Sequence, residues 1–253
     1  MAPRLSLIVI ARDEETDLPV CLQSVQGTAD EAVVVVDGRT TDRTAEAARG
    51  LGARVLERAF DDFASQKQAA LEAALGVWTL SLDADERLSP ELAEEIRALL
   101  SGPGPSMSGY RLLFEVEFMG RTLRRGGVGR ERHLRLFRRS AGRFSGGSLH
   151  EGVEVPGPVG DLLHPVRHRP YRDLREYLEK QNLYTTLAAR RAREAGRTLK
   201  PWHHAVLPLE FVKRYILRLG FLDGGPGLVW SALSAYYAWL KYVKRSDPPG
   251  EGP

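Results

Sequence analysis

The chain has 253 residues, of which 43% are hydrophobic and 27% charged, as expected for one large globular domain or for a domain with an appendage. Its single cysteine, Cys21, excludes an intrachain disulfide, so we expect an intracellular, cytoplasmic protein in which Cys21 packs in the core. The apolar run from Leu5 is too short before Arg12 for a signal peptide, which favours a buried first strand.

The net charge of +3 hides an uneven distribution of charge along the chain. Residues 1–100 contain 19 acidic and 10 basic side chains, whereas residues 101–253 contain 14 acidic and 26 basic ones. Nine arginines lie between Arg121 and Arg143, with Glu131 as the one acid. The acidic part suits a metal site. The basic part suits nucleic acid, a phosphorylated glycan or an anionic membrane, and the alternative is a solvated, arginine-rich sheet face.

Strand and helix patterns alternate in the first hundred residues. Buried strands are predicted from short apolar runs, and helices from amphipathic spacing with caps and glycine stops. The predicted strands are Leu5–Ala11, Ala32–Val36, Arg54–Leu56 and Val77–Leu82. The predicted helices are Leu18–Val25, a helix capped by Thr40 or Thr41 and ending at Leu51, Ala64–Leu75, and one capped by Ser89. This alternation predicts a parallel sheet with helices on both faces.

The pattern changes after the Gly/Pro/Ser-rich connector Ser101–Ser108. Tyr110–Phe118 and His133–Arg138 alternate with period two and predict antiparallel strands. Helices are then predicted at Asp173–Glu194, capped by Asp173, and at about 205–219 and 228–244, interrupted by Gly220 and by Gly224–Pro226. The polar tail, residues 246–253, is expected to be disordered.

Acidic side chains recur where predicted parallel strands end. Asp13 and Glu14 follow the first strand, Asp37 follows the second, and Asp83, Asp85 and Glu86 follow the fourth. Such strand ends share one edge of the sheet, where open α/β folds bind ligands, and carboxylates there suit Mg²⁺ or Mn²⁺ held with phosphates. Each acid alone is also explained by a helix cap or a solvated turn, but three such groups at one edge favour a site over three separate caps.

Two phosphate-binding motifs are absent from the sequence. There is no Gly-x-x-x-x-Gly-Lys-Ser/Thr, and no Gly-x-Gly-x-x-Gly in the first strand–helix turn. Their absence argues against a P-loop NTPase and against a dinucleotide fold. Phosphate charge would therefore be met by a metal or by basic side chains.

In this order, the segments Leu7–Glu15, Val34–Thr44 and Leu80–Glu86 resemble the family 2 glycosyltransferases of GT-A fold. Lys67, His150-Glu151 and Gly-Phe-Leu-Asp-Gly at Gly220–Gly224 are most similar to the bacterial lipopolysaccharide-core β-glucosyltransferase subgroup. The resemblance covers about residues 5–245. It implies an α/β GT-A fold with a Rossmann-like nucleotide-sugar-binding half (1–100) and a mixed, mainly antiparallel acceptor half (101–172). A helical appendage (173–245) and the tail follow.

The resemblance also implies roles for individual residues. Donor binding falls to Asp13, Glu14, Asp37, Lys67, Asp83 and Asp85, with Asp83 near the ribose. Asp85 and His168 would hold a divalent metal, with His164 as the competing histidine. Arg135 and His150 would bind the acceptor, and Glu151 would be the general base. Asp13 stands where the family commonly has Asn, and Gly38-Arg39 replaces the more usual loop residues.

The implied reaction is an inverting, Mg²⁺- or Mn²⁺-dependent transfer of one sugar from a nucleotide sugar, expected to be a UDP-hexose. The implied acceptor is a lipid-linked or phosphorylated glycan of cell-envelope or lipopolysaccharide biosynthesis. The Gln-x-x-Arg-Trp signature of processive synthases is absent, which favours single transfer. Alternatives are transfer to polyprenyl phosphate and a non-catalytic sugar-nucleotide-binding protein. A nucleic-acid-binding module is disfavoured because aromatic stacking residues are sparse among the arginines.

The C-terminal third contains apolar and basic residues at helical spacing. The longest apolar stretch, Leu228–Leu240, is too short to span a bilayer, and Phe211–Arg218 mixes aromatic, aliphatic and cationic side chains. Residues 205–245 therefore suit peripheral contact with the inner face of the cytoplasmic membrane. Equally, they suit packing on the core or on a second copy of the chain in a homo-oligomer.

Overall fold

The computed structural model describes residues 4–102, 106–128, 131–145 and 152–246. They divide into two compact units. The first contains the described residues of Met1–Glu115 and Arg130–His168, and the second those of Val116–Gly129 and Arg169–Pro253. Assignment of residues 1–100 to the nucleotide and 101–172 to the acceptor stays a prediction.

The first unit begins with a parallel sheet. Strands β1 (Leu5–Ala11), β2 (Glu31–Asp37), β3 (Arg54–Arg58) and β4 (Trp78–Asp83) lie in the order β3-β2-β1-β4, all parallel. They alternate with helices α1 (Leu18–Ser24), α2 (Thr44–Gly50), α3 (Phe63–Ala73) and α4 (Pro90–Ser101). The predicted strand–helix alternation is confirmed.

Antiparallel strands extend this sheet beyond β4. The remaining described strands are β5 (Glu86–Leu88), β6 (Gly109–Phe118), β7 (Arg121–Leu123), β8 (Arg132–Arg138), β9 (Arg143–Ser145), β10 (Gly152–Glu154) and β11 (Val159–His168). The sheet continues β4-β8-β6-β11-β5, with β8 antiparallel to both β4 and β6, and β11 antiparallel to β5. β9 and β10 form a separate antiparallel pair.

Hydrophobic clusters cover both faces of the parallel sheet because successive strand residues point to opposite faces. Leu7 and Val9 of β1 pack in one cluster with Leu18, Cys21 and Leu22 of α1. Neighbouring Ile8 packs in the other, which includes Ala70 and Leu71 of α3. Cys21 is buried, as predicted for a core residue.

Two helix starts differ from the sequence prediction. Neither Thr40 nor Thr41 caps α2, because Arg43 occupies the cap position and the N–H of Thr44 donates to Asp42 Oδ1 at 2.9 Å. A nearer carboxylate therefore covers the free N–H group. By contrast, Ser89 caps α4 as predicted, accepting the N–H of Leu92 at 3.1 Å.

The second unit is mainly helical. It contains β7, which pairs with the end of β6, and helices α5 (Leu174–Glu194), α6 (Val206–Val212) and α7 (Gly224–Val243). Asp173 caps α5 as predicted. A π-helical turn at Lys213–Leu217 and a 3₁₀ turn at Gly220–Asp223 lie between α6 and α7. Gly224–Pro226, predicted to interrupt the helical pattern, instead begins α7, since proline is tolerated in a first turn.

The length and hydropathy of the helices decide whether one of them could span a membrane. Among the described residues, no helix is long and apolar enough to cross a bilayer. The predicted α/β class is confirmed: the sheet is parallel first and antiparallel after it, and a helical C-terminal part follows.

Candidate active site

The carboxyl ends of the parallel strands meet at one edge of the sheet. In the strand register, Ile10 lies beside Asp83 and Ala11 lies beside Val36. The loop that begins with Arg12 therefore adjoins both Asp37 and Asp83. The structure thus brings the acidic strand ends together, as the sequence predicts.

Asp83 is held by two cations. Leu80 and Leu82 pack into the cluster that contains α1, so the alternating Asp83 side chain lies on the other face, under α3. There Lys67 Nζ lies 2.9 Å from Asp83 Oδ1, and Arg135 Nη2 lies 3.0 Å from Oδ2. The Lys67 side chain is only 4% exposed, so Lys67 is a buried cation and not a solvated surface residue.

Glu86, for which the sequence predicts no role, completes this network. Its side chain is 3% exposed; Oε1 accepts from Arg135 Nη2 at 3.0 Å and Oε2 accepts the N–H of Asp83 at 2.8 Å. Arg135 also lies over the ring of Phe114, 5.4 Å from its centroid. The signal that could have revealed the network is three carboxylates within four residues, which cannot be buried together without cations.

The pKa values of the Asp83 and Glu86 carboxyl groups are shifted in opposite directions. Burial would raise the pKa of Asp83, but the charges of Arg135 and Lys67 outweigh burial and hold that pKa well below its ordinary value. Burial, with the neighbouring charge of Asp83, raises the pKa of Glu86 to about 7. Asp83 is therefore ionised at neutral pH.

Asp85 and His168 lie side by side. Antiparallel pairing sets His168 opposite Glu86, and His168 Nε2 lies 3.2 Å from Asp85 Oδ2. Burial would lower the pKa of His168, yet the hydrogen bond and charge of Asp85 raise it overall. His164 is engaged elsewhere, with Nδ1 2.9 Å from Glu95 Oε2. Of the two candidate histidines, His168 is the one beside Asp85.

This pair fits a divalent metal that takes some of its ligands from the protein and the others from a substrate. Within the described ranges, no group of three or more His, Cys, Asp or Glu side chains is placed to hold a metal ion. Asp85 and His168 therefore offer one carboxylate and one imidazole, both partly exposed. Mg²⁺ and Mn²⁺ sites commonly combine one or two protein ligands with phosphate oxygens and water. The donor set agrees with a metal–diphosphate site.

Asp37 is covered by an arginine. The Arg39 guanidinium donates to both of its oxygens, with Nη2 2.7 Å from Oδ2, and lies 5.1 Å from the centroid of the Phe60 ring. The hydrogen bonds from the Arg39 side chain hold the pKa of Asp37 below its ordinary value. A ligand that reaches Asp37 must therefore share it with Arg39, which replaces the loop residue usual in the family that the sequence resembles.

Asp13 and Glu14 shape the loop after β1. Asp13 adopts a left-handed backbone conformation (φ 56°), which Asp and Asn tolerate better than most residues. Its Oδ1 accepts the N–H of Thr41 at 2.8 Å, and the N–H of Glu14 donates to Thr44 Oγ1 at 2.8 Å. The loops after β1 and β2 are thereby joined.

A cleft of about 160 Å³ opens beside the Asp83 network. Its lining includes Lys67, His133, Arg135, Phe144, Gly152 and Val153. Burial, followed by the charge of Arg135, lowers the pKa of His133. The predicted acceptor residue His150 and the predicted base Glu151 lie outside the described residues.

Comparison with known proteins identifies the family to which the chain belongs. Residues 6–153, more than half of the chain, match the family described as Glycosyl transferase family 2. The lipopolysaccharide core biosynthesis glycosyltransferase LpsC of Rhizobium meliloti is 30% identical in an alignment covering 98% of this chain and 97% of LpsC. The uncharacterized glycosyltransferase RP128 of Rickettsia prowazekii is 25% identical, over 96% of this chain and 87% of RP128.

Solved structures resemble the chain only distantly. Glucosyl-3-phosphoglycerate synthase from Mycobacterium tuberculosis, in complex with Mn²⁺, UDP and glucosyl-3-phosphoglycerate, is 17% identical with a TM-score of 0.47. The match covers 77% of this chain and 81% of the synthase. A likeness at this level does not identify a substrate.

Proposed function

Because the chain belongs to glycosyl transferase family 2, we propose that this glycosyltransferase moves one sugar from a nucleotide sugar, a UDP-hexose, with inversion at the anomeric carbon. The observation that carries the proposal is the Asp85–His168 pair beside the Asp83 network, at the carboxyl edge of the parallel sheet. Carboxylates in this place suit a metal-bound diphosphate.

The donor would lie along the sheet edge. We assign Asp13, Glu14 and Asp37 to the nucleoside and Asp83 to its ribose. The support for Asp83 is its ionised, fixed carboxylate, which keeps part of its surface exposed (36%) between Lys67 and Arg135. Lys67 would orient Asp83 and add positive charge near the diphosphate.

Asp85 and His168 would hold Mg²⁺ or Mn²⁺. The metal, when bound, would offset negative charge that develops on the leaving nucleoside diphosphate. His168 must be neutral to act as a ligand, and its raised pKa makes metal binding weaken as the pH falls.

The acceptor would enter from the cleft. Gly152, the residue after Glu151 in the chain, lines that cleft with Lys67 and Arg135. Glu151 would take the proton of the acceptor hydroxyl while the hydroxyl oxygen bonds to the anomeric carbon. The bond from that carbon to the diphosphate breaks on the opposite side, which inverts the configuration. Arg135 and His150 are assigned to the acceptor.

The relative LpsC guides the choice of acceptor. Its name places it in lipopolysaccharide core biosynthesis, so we assign to this chain a lipid-linked or phosphorylated glycan acceptor of that pathway. The 26 basic residues after residue 100 support an anionic acceptor. Such an acceptor would be met at the inner face of the cytoplasmic membrane, through residues 205–245.

A donor panel tests the proposed activity. Nucleotide sugars with Mg²⁺, Mn²⁺ or EDTA would be scored by thermal shift and by released nucleoside diphosphate. We expect stabilisation and release with a UDP-hexose only when metal is present. Glycan and polyprenyl phosphate acceptors separate the two transfer reactions. If no nucleotide sugar binds, the proposed function is wrong.

Glu151→Gln tests the assigned base. The variant keeps the size of the side chain but cannot accept the proton, so turnover should fall by about a hundredfold or more while donor affinity stays unchanged. Glu154→Gln is the matched control, since Glu154 is exposed and bonds Ser145 at 2.6 Å. Equal losses of binding and turnover in Glu151→Gln would indicate a structural role.

A further inference from the structure

The Gly-Phe-Leu-Asp-Gly motif fixes a loop rich in arginine in the second unit. The Asp223 side chain is buried, and its Oδ2 accepts the backbone N–H of Arg124 at 3.0 Å and of Arg125 at 2.8 Å. Because the carboxylate binds the backbone, it leaves both arginine side chains exposed.

The loop and the residues before the motif form one surface. The N–H of Gly126 donates to the carbonyl of Arg218 at 2.9 Å. Gly126 and Gly127 adopt left-handed conformations (φ 71° and 78°), and a Cβ atom on Gly127 would collide with the Arg218 guanidinium. Arg218 therefore lies against the loop.

Among the residues that the structure describes, the arginines of this surface lack acidic partners. In the part of the chain that the structure describes, no carboxylate forms an ion pair with Arg121, Arg124, Arg125 or Arg218. All four are exposed, and Arg121 reaches the motif, because its Nη1 lies 3.0 Å from where a Cβ atom on Gly224 would be. The contrast is with arginines such as Arg49 and Arg58, which pair with nearby acids.

Large apolar side chains are exposed on the same segment. Leu217 is 73% exposed and Leu222 is 57% exposed, and the nearby exposed apolar residues are Ile216, Leu219 and Phe221. We call these five residues, with the four arginines, the arginine–leucine patch. Clustered apolar surface of this kind is uncommon on a surface that meets only water.

We propose that the arginine–leucine patch docks the protein on a membrane surface that carries anionic lipids. Guanidinium groups bind phosphate oxygens in bidentate geometry, and leucine and phenylalanine side chains enter the boundary between headgroups and acyl chains. Asp223 is the positioning residue, since it orders the loop that carries Arg124 and Arg125. The inference rests on the proposed membrane contact and names the residues that make it, independently of the sugar transferred.

Charge argues against a second copy of the chain as the occupant. In a two-fold dimer the same patch would face itself, so its arginines would approach like charges. The acid within the motif, Asp223, is buried and already bonded to the loop backbone. An anionic membrane offers phosphate groups to the arginines of the patch and acyl chains to its apolar side chains.

Vesicle co-sedimentation with the full chain tests the proposal. Phosphatidylcholine vesicles with phosphatidylglycerol should bind the protein, and binding should fall with salt, while pure phosphatidylcholine should bind weakly. Arg124→Gln/Arg125→Gln/Arg218→Gln should weaken binding by about a hundredfold, from about fivefold per arginine. The charge-matched control Arg49→Gln/Arg111→Gln/Arg190→Gln should lose less than tenfold.

A fluorescent probe tests the geometry separately. Cys21 is buried, so Leu217→Cys can be labelled with an environment-sensitive dye. Its emission should shift to the blue with anionic vesicles. Leu163→Cys is the control, because Leu163 is similarly exposed (71%) but belongs to the first unit. No shift at 217, or equal shifts at both positions, would overturn the proposal.

Two further measurements keep the outcomes distinct. Donor hydrolysis should be unchanged in Arg124→Gln/Arg125→Gln/Arg218→Gln. An unchanged rate would show that this variant is folded, and it would separate a failure of docking from a failure of the proposed function. Sedimentation velocity should give the same mass for the wild type as for Leu217→Ser/Leu222→Ser. If the wild type is a dimer that these substitutions dissociate, the patch is a subunit interface and the membrane proposal is wrong.

Discussion

The candidate active site and the arginine–leucine patch each depend on a fixed carboxylate near arginines, yet they use it differently. In the site, Asp83 pairs directly with the side chains of Lys67 and Arg135, so the charges hold one another in place. In the patch, Asp223 binds the backbone and leaves the guanidinium groups of Arg124 and Arg125 exposed. Side-chain pairing therefore builds an internal framework, whereas backbone capture keeps arginines available for an external ligand.

Replacing Lys67 should give the largest change in stability. Lys67→Met keeps most of the packing volume but leaves Asp83 with Arg135 alone. Because Asp83 is partly open to water, we expect the free energy of unfolding to fall by about 2–3 kcal/mol, less than for a fully buried pair. Urea unfolding in EDTA measures it. Arg49→Met, which breaks the exposed pair with Glu57, should cost about 0.5 kcal/mol or less. Equal costs would contradict the distinction between framework and surface charges.

Glu86→Gln should change how stability depends on pH. The pKa of Glu86 lies near 7 in the folded protein, above its ordinary value of 4.5. Its proton is therefore held more tightly in the folded state, and the resulting stability is fully present below pH 4.5 and lost as the pH rises through 7. Wild type should lose on the order of 2 kcal/mol relative to Glu86→Gln across this window.

Unfolding in EDTA at a series of pH values measures this difference. Asp83 titrates in the opposite sense: its lowered pKa contributes stability above its ordinary value of 3.8, which is lost as the pH falls. The two windows are separate. Parallel stability curves for wild type and Glu86→Gln between pH 4.5 and 7 would show that Glu86 stays ionised.

Asp223→Asn should give the smallest loss and a local one. The amide oxygen can still accept from the loop, but the hydrogen bonds lose their charge, at a cost of about 1 kcal/mol. Hydrogen exchange at the N–H groups of Arg124 and Arg125 should accelerate. Asp161→Asn, at an exposed pair with Arg111, should leave those rates unchanged. Unchanged exchange in Asp223→Asn would remove its positioning role.

Local sequence patterns predicted the sheet edge well. The bounds of β1 match the prediction because a parallel strand buried on both faces is a continuous apolar run. Strand ends of a parallel sheet share one edge, so the position of Asp37 and Asp83 on the same edge followed from the strand–helix alternation. The α2 cap was missed because Asp42 offered its carboxylate to the free N–H in place of Thr40 or Thr41.

The ion-pair network lay beyond the sequence because its partners are distant in the chain. Arg135 reaches Asp83 through the antiparallel register of β8 on β4, which no local pattern fixes. His164 and His168 are four residues apart on β11 and share a face by period two, so alternation cannot separate them. Only the register that sets His168 opposite Glu86 places it beside Asp85.

Mn²⁺ binding in the presence of UDP, measured by electron paramagnetic resonance, tests most directly the central claim of a metal–diphosphate site at Asp85 and His168. Wild type should bind Mn²⁺ with UDP, and Asp85→Ala and His168→Ala should each lose at least about tenfold in affinity. His164→Ala, whose ring bonds Glu95, should bind as wild type does. Full binding by His168→Ala, or an equal loss in His164→Ala, would contradict a metal–diphosphate site at Asp85 and His168.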